Sequence, residues 1–409
     1  MKVSIVIPTR SRADTLTKTL RTAVEQSHDN VEIIVSNNGG DPATRQVVEK
    51  VSDRRVRCIE PDRRLSMSHN FEFAMSHATG DWLVLIGDDD GILPNGISRG
   101  LEILAESGAE ALASPTCLYR WPVGKRGPFL TIPYGVGWEW RSSRGALRRM
   151  LSRDMGFNDA PTTYTGGIVS AALYSRIKEV KGTFYQSQIP DCYSAFAFCS
   201  ATESYVLSRE SLMIAGISAH SHGRASLSVQ PTNFHDDESI PFHSKLPLPD
   251  IGSFTSSFQA MLYESYLQTS YLRTDPPITS LEEQIVAILA YSKWYKDRVP
   301  GADKAWDIAF DWTAKAAERH HLDVNEIRRK AERLPIRARL SQHLQILRDF
   351  TKRYVVDETL QLPISDVYEA SRVAAATLKN RPSRLGSYSR TVARRLLSRG
   401  TARLHHLVG

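Results

Sequence analysis

The stretch Trp82–Pro94, WLVLIGDDDGILP, constrains the fold of this chain more than any other. Five residues, Trp82 to Ile86, are apolar without interruption, the pattern of a strand buried on both faces of a parallel sheet. The run stops at Gly87, and Asp88, Asp89 and Asp90 follow before Pro94 and Asn95 open a helical pattern. Ligands of open α/β sheets bind at the carboxyl ends of the strands. Three adjacent like charges repel, and folding alone gives no reason to place them at the end of a core strand. A hard divalent cation, Mn²⁺ or Mg²⁺, turns the arrangement favourable by taking carboxylate oxygens together with substrate phosphates. A solvated turn built on Asp90-Gly91 is the plainer alternative.

The rest of the N-terminal half repeats strand and helix. Strands are expected at Val3–Ile7, Val31–Val35, Val56–Ile59 and Ala111–Ser114 beside the one at 82–86. Helices are expected after Asp14 or Thr15, over Pro42–Val51, Ser66–His77 and Gly96–Ser107. This alternation implies a mostly parallel, Rossmann-like sheet with right-handed crossovers. Three strand ends then carry polar clusters that converge on one crevice: Thr9-Arg10, Asn37-Asn38 and Asp88–Asp90. Neither GxGxxG nor GxxxxGK[ST] occurs, so phosphates would be held by a metal and side chains, not by a glycine cradle.

In order and spacing, VSIVIPTR, EIIVSNNGG, the helix carrying Asn70 and GDWLVLIGDDDGILPNGI resemble the nucleotide-sugar half of the family-2 glycosyltransferases with the GT-A fold. The resemblance covers residues 1–220 and implies a metal-dependent, inverting transfer. A sugar would move from a nucleoside-diphosphate sugar, a UDP-sugar first among candidates, to a hydroxyl of a glycan or lipid-linked acceptor. It places Thr9 and Arg10 beside the nucleoside and Asn37 or Asn38 on the base, with Arg64 or Arg63 approaching the nucleotide. Here Asn-Asn-Gly-Gly stands where the commoner pattern is Asp-Asp-Gly-Ser, which leaves the base open. Asp88 and Asp90 correspond to the outer positions of the DxD motif and would hold the metal, with Asp89 on the ribose or sugar. His220 or His222 would complete the metal shell. His69 and His77 read as structural or solvent-facing.

Inverting transfer needs a general base, because a sugar hydroxyl must lose its proton as it attacks. Ile189-Pro190-Asp191 opens an apolar helix and puts Asp191 in its first turn, where the helix dipole favours the ionised form. A capping role is the plain alternative. The resemblance places the base at such a step downstream of the DxD, and Asp191 stands 101 residues after Asp90. Asp159 and Asp154 are the reserves. Residues 115–165 hold Tyr119, Trp121, Tyr134, Trp138, Trp140 and Tyr164 and read as an irregular acceptor wall. Val206–Leu207 and Leu212–Ile214 read as a hairpin.

Beyond this catalytic segment, 221–253 reads as a lid or linker and 254–380 as a helical domain for packing, oligomerisation or acceptor docking. Its helices are expected at Phe254–Arg273, Ser280–Asp297, Asp303–His320, Val324–Glu332, Ala338–Tyr354 and Ile364–Leu378. Residues 381–409 form a basic amphipathic tail. From Ala370 onward there are nine Lys or Arg and no Asp or Glu, two more charges than the chain's net +7, so residues 1–369 carry −2. That distribution excludes a nucleic-acid groove in the body and suits a tail lying on anionic lipid. No stretch approaches the roughly 18 apolar residues of a membrane span. Met1–Arg10 reads as the first strand and not a secretion signal. The four cysteines form no CxxC pair, so neither a zinc site nor a disulfide framework is indicated. The cytoplasm, with peripheral attachment to the inner face of the membrane, is the expected location. A sugar nucleotidyltransferase and a non-catalytic glycan- or membrane-binding scaffold are the rival functions.

Overall fold

The computed structural model describes residues 1–123, 127–152, 154–187, 189–219, 258–297, 303–334, 353–357 and 364–380. The expected lid, most of the helix at 338–354, the basic tail, His220 and His222 lie outside the described residues. The chain opens with β1 (Val3–Thr9), α1 (Ala13–Val24), β2 (Val31–Asn37), α2 (Pro42–Val51), β3 (Val56–Ile59), α3 (Met67–Met75) and β4 (Trp82–Leu85). These strands are parallel, and the register sets Thr9 beside Asn37 and Val6 beside Leu85. Then come β5 (Gly91–Ile92), α4 (Gly96–Ser107), β6 (Ala111–Ala113), β7 (Cys117–Arg120), β8 (Phe129–Pro133), β9 (Trp138–Ser142) and α5 (Ser143–Leu151). The segment closes with β10 (Gly167–Ser170), α6 (Ala171–Lys181), α7 (Pro190–Ala201), β11 (Ser204–Ser208) and β12 (Met213–Ile217).

Eight strands form the main sheet in the order β3-β2-β1-β4-β10-β6-β11-β9. β10 runs antiparallel to both its neighbours, β4 and β6, so the sheet is mixed. Alternate residues of β1 enter different cores, as period-2 side chains must. Val3, Ile5 and Ile7 pack with Leu16, Leu20, Ile97 and Leu101 of α1 and α4. Val6 joins Phe71 and Ala74 of α3 and the residues of α7 on the opposite face. α7 is buried on nearly every side from Cys192 to Cys199, the pattern of a helix inside a core.

Two expectations give way here. The residues read as an irregular wall form β7, β8 and β9. Their alternation lasts only four or five residues, too short to separate from loop by periodicity. The expected hairpin is also absent. β11 lies in the main sheet, whereas β12 belongs to a second sheet of order β13-β8-β7-β12-β5, where β13 is Arg353–Asp357. Arg353 and Tyr354, expected to end a helix, begin that strand, which pairs antiparallel with β8.

The remaining helices are α8 (Phe258–Gln268), α9 (Leu281–Lys296), α10 (Asp303–Arg319), α11 (Val324–Arg333) and α12 (Val367–Asn380). α9 to α11 share a core of Ile285, Leu289, Ala316, Ala317 and Ile327, and α8 packs on α7. α12 covers the second sheet through Val367, Ala370 and Ala374 against Leu93, Tyr119 and Ile214. It is also fastened to α1: Lys18 Nζ lies 2.9 Å from Asp366, Arg21 sits 3.8 Å over the Tyr368 ring, and Tyr368 donates to Glu25 at 2.6 Å.

A candidate active site at the ends of β1 and β4

The turn after β4 is held by side chains from distant parts of the chain. Thr9 Oγ1 donates to Asp88 Oδ2 at 2.6 Å, and Arg12 Nη1 to Asp88 Oδ1 at 3.0 Å. Ser11 between them has φ +53, and the chain turns there so that both neighbours face the same carboxylate. Arg12 occupies the N-cap position of α1, where Asp14 or Thr15 was expected to cap, and α1 has no side-chain cap. Nearly two turns into α1, the Thr19 hydroxyl lies 2.9 Å from the carbonyl of Asp88 and 2.6 Å from that of Asp90. Asp90 turns inward: Oδ2 accepts Gly87 N–H at 2.9 Å and the Thr165 hydroxyl, and Oδ1 accepts Gly216 N–H at 2.7 Å. Asp89 accepts Ser218 N–H on Oδ2 at 3.3 Å, and its carbonyl accepts the Trp121 indole N–H at 3.0 Å. Gly216 of β12 crosses so closely that a Cβ there would stand 1.8 Å from the Asp89 carbonyl oxygen, which only glycine permits.

Across the turn stands Tyr164. A Cβ on Gly87 would lie 2.5 Å from its hydroxyl, and its ring stacks on Phe71 with centroids 6.2 Å apart. Burial first, then the charges of Asp90, Asp89, Asp191 and Asp88 in that order, pushes the Tyr164 hydroxyl well up. The Tyr164 hydroxyl thus stands near enough to Asp90, Asp89, Asp191 and Asp88 to feel the charge of each. Tyr164 and Asp191 are half-buried, whereas Asp88, Asp89 and Asp90 are buried.

Asp191 sits in the first turn of α7 behind Pro190, with Oδ1 accepting Cys192 N–H at 2.8 Å. Ser194 Oγ donates to the Asp191 carbonyl at 2.8 Å and lies 2.8 Å from Thr162 Oγ1, which ties α7 to the loop that carries Tyr164. Burial raises the Asp191 carboxyl above its ordinary range against the bond from Cys192. Asp88 is raised by burial, with Arg12 opposing and Asp89 adding to the rise. Asp90 is raised by burial and by the charge of Asp89, against its three hydrogen bonds. Each ionised carboxylate disfavours the next, so the cluster favours a cation. Carboxylate oxygens are hard donors and fit Mg²⁺ or Mn²⁺. Among the described residues no group of three or more His, Cys, Asp or Glu is arranged to hold a metal ion by itself. Mg²⁺ ordinarily takes one or two carboxylates and completes its shell with water and phosphate.

The other expected site residues are placed as follows. Asn37 donates to the Asp41 carbonyl at 3.0 Å and to Glu60 at 2.7 Å, joining the end of β2 to α2. Asn38 makes a two-way amide pair with the backbone of Leu65, 2.8 Å in each direction. Both amides thus position loops at the end of β2. Arg10, Arg63 and Arg64 are exposed, as are the reserve acids Asp154 and Asp159. His69 is bonded to Ser66 and His77 to the Phe73 carbonyl, both locally. Of the expected aromatic wall, Tyr119 is core and donates to the Ile364 carbonyl at 2.7 Å. Trp138 and Trp140 lie on β9, the edge strand at the other end of the sheet from β3. Trp121 and Tyr164 alone among the six touch the acidic turn. Arg12, Thr19, Thr165 and Gly216 were not singled out as site residues. A cavity of about 730 Å³ opens away from this cleft, between α2 and β3, lined by Arg45, Glu49, Cys58 and Glu60.

Relatives of known name match about a quarter of the chain. The succinoglycan biosynthesis protein ExoO of Rhizobium meliloti is 28% identical over 108 residues, 26% of this chain and 31% of its own. The Escherichia coli protein WfaP is named as a UDP-Glc:α-D-GlcNAc-diphosphoundecaprenol β-1,3-glucosyltransferase. It is 26% identical over 102 residues, 25% of this chain and 41% of its own. The match thus spans less than half the length of either relative. Among solved structures, residues 1–349 of Staphylococcus aureus TarS with UDP-GlcNAc align over 81% of this chain and 91% of that one. The TM-score there is 0.45 at 15% identity. The family model "Glycosyl transferase family 2" matches residues 4–174, from β1 through the acidic turn and Tyr164 into α6. Residues 4–174 are therefore similar to the family 2 glycosyltransferases, and they form an α/β unit on a mixed sheet.

Proposed function

We propose that this chain is an inverting glycosyltransferase that moves a sugar from a nucleoside-diphosphate sugar to a hydroxyl of a glycan or lipid-linked acceptor. The observation that carries the reading is the acidic turn after β4, where Asp88, Asp89 and Asp90 are held together and buried by donors from Thr9, Arg12, Thr165, Gly216 and Ser218. The name of the E. coli relative supports a UDP-sugar donor and an acceptor on a polyprenyl diphosphate.

Asp88 and Asp89 would hold a Mn²⁺ or Mg²⁺ ion. Asp90 is better suited to anchoring the turn, because both its oxygens already accept buried donors, two of them backbone N–H groups. The partners of Asp88 are side chains, Thr9 and Arg12, which can turn toward an arriving diphosphate. The ion supplies charge stabilisation to the departing diphosphate. Thr9 and Arg10 at the end of β1, with Asn37, Asn38 and Arg64 beyond β2, would frame the nucleoside. Asp191 takes the proton of the acceptor hydroxyl as its oxygen bonds to the anomeric carbon. The bond to the diphosphate oxygen breaks with its electron pair leaving on the nucleotide. A single displacement inverts the anomeric centre, and the proton ends on Asp191.

The test is release of nucleoside diphosphate from UDP-, GDP- and dTDP-sugars with and without Mn²⁺, in the presence of polyprenyl-linked and free glycan acceptors. Metal-stimulated release from one donor class is expected. Absence of release from every donor, with no metal-assisted nucleotide binding by calorimetry, would sink the proposal.

A further inference from the structure

Glu264 is a buried carboxylate that the proposed transfer does not use. It stands on α8, outside residues 4–174, and is 8% exposed. Its Oε2 accepts the Ser187 hydroxyl at 2.5 Å and its Oε1 accepts Gln268 Nε2 at 2.9 Å. An apolar side chain would fill this position at less desolvation cost, since an acid in a helix–helix contact must be compensated by donors. Both donors are present, and one of them leads to the cleft.

Ser187 is itself buried and is gripped from two elements. Ser68 of α3 donates to its carbonyl at 2.6 Å, and Ser265 of α8 lies 3.0 Å from its hydroxyl. Just upstream, Glu72 of α3 accepts the backbone N–H groups of Phe184 and Tyr185 at 2.9 and 3.1 Å. The Tyr185 hydroxyl lies 2.8 Å from that of Thr163, next to Tyr164. The segment from Phe184 to Ser187 is therefore tied along its length, and Pro190 and Asp191 follow three and four residues later in the sequence. Glu264 also stands close enough to act on Cys192 and Tyr193, the residues that follow Asp191.

We infer that Glu264 is a positioning residue: through Ser187 it fixes the segment that delivers Asp191 to the cleft, which makes α8 part of the catalytic apparatus. The inference rests on the reading of Asp191 as the base. A general base works only within hydrogen-bond reach of its proton, and a displacement of about 1 Å can cost as much as 100-fold in rate. Segment 184–187 lies outside every described helix and strand; Phe184 and Tyr185 anchor its start in the core, and at Ser187 these polar bonds hold it.

The test uses the full chain with Glu264→Gln, Glu264→Leu and Ser187→Ala. Glutamine keeps an acceptor for Ser187 once the Gln268 amide turns over, leucine removes it, and alanine removes only the donor. Hydrogen exchange over residues 184–194 is read first. Faster exchange confined to that segment is expected in Glu264→Leu and Ser187→Ala, with the wild-type rate in Glu264→Gln. In transfer assays Ser187→Ala should lose about 10-fold in kcat with the donor KM unchanged. Wild-type exchange in Ser187→Ala overturns the inference, as does acceleration spread evenly over the chain. Unchanged kcat in that variant overturns its catalytic part. Should the wild-type chain transfer no sugar, the base assignment falls, while exchange still decides whether the clamp exists. If Glu264→Leu fails to fold, Ser187→Ala decides the question by itself.

Discussion

Tyr164 stands against the acidic turn, and its loop is bonded to the start of α7, yet the turn and the helix start are held in place by opposite means. Asp88 to Asp90 are fixed by polar bonds from Thr9, Arg12, Thr19, Trp121, Thr165, Gly216 and Ser218, which come from separate stretches of chain. Asp191 is carried by a helix whose other residues are almost all apolar and buried, and its side chain bonds to its own helix end. Like charges packed together must be restrained from outside, because nothing within the turn favours their closeness. A single carboxylate at a helix N-terminus is locally favourable and needs only to be aimed. The turn is therefore vulnerable to the loss of remote donors, and Asp191 to whatever sets the height and rotation of α7.

The largest effect should come from removing the reacting group while leaving its support intact. Asp191→Asn keeps size and an acceptor for Cys192 N–H, so nucleotide binding should survive while kcat falls by about 1,000-fold. Full turnover would remove Asp191 from the mechanism. Because burial raises the Asp191 carboxyl, the acid limb of kcat should lie above the ordinary Asp range, near 3.9, and should be missing from the Asn variant's residual rate. At the acidic turn, Gly216→Ala should be strongly damaging. Its Cβ would meet the Asp89 carbonyl at 1.8 Å, so the turn or β12 must shift. Loss of metal-assisted nucleotide binding is expected, together with a lowered Tm. Unaltered binding would show that the turn need not keep this shape.

The same contrast explains what could be read in the sequence. The ends of β1, β2 and β4, the triplet and the apolar helix behind Pro190 are local patterns, and the structure has each of them. Arg12, Thr19, Thr165 and Gly216 reach the turn from 69 to 126 residues away, and no local pattern marks them. A threonine inside a helix reads as a neutral residue until its neighbour across the core is known. β11 and β12 looked like a hairpin because they are adjacent in sequence, but β12 leaves for the second sheet and there supplies Gly216. The amides of Asn37 and Asn38 were expected on a base edge. Those amides also bond to Asp41, Glu60 and Leu65, partners on loops whose course only the fold defines.

A smaller effect is expected from Thr19→Val, which keeps the shape and removes the hydroxyl from between two buried carbonyls. The loss should be about 1–3 kcal/mol by denaturant titration, with the m-value unchanged. A cost near zero would mean that the turn holds itself.

The smallest and most specific prediction concerns the support of Asp191. Burial pushes Glu264 up to about 7, against its bonds from Ser187 and Gln268. The folded chain therefore binds this proton more tightly than the unfolded chain, whose glutamate titrates near 4.3. Stability from this group is fully present below that value and is lost as pH rises from about 4.3 toward 7, then stays level. Glu264→Gln cannot titrate. Between pH 5 and 7 its stability relative to wild type should climb by something on the order of 2–3 kcal/mol. Chemical denaturation of both proteins at pH 5, 6, 7 and 8 measures the difference directly. Parallel curves would show that the acid is ionised at no cost in both states, and that the contact between α8 and Ser187 is not the buried clamp that holds α7 against the acidic turn.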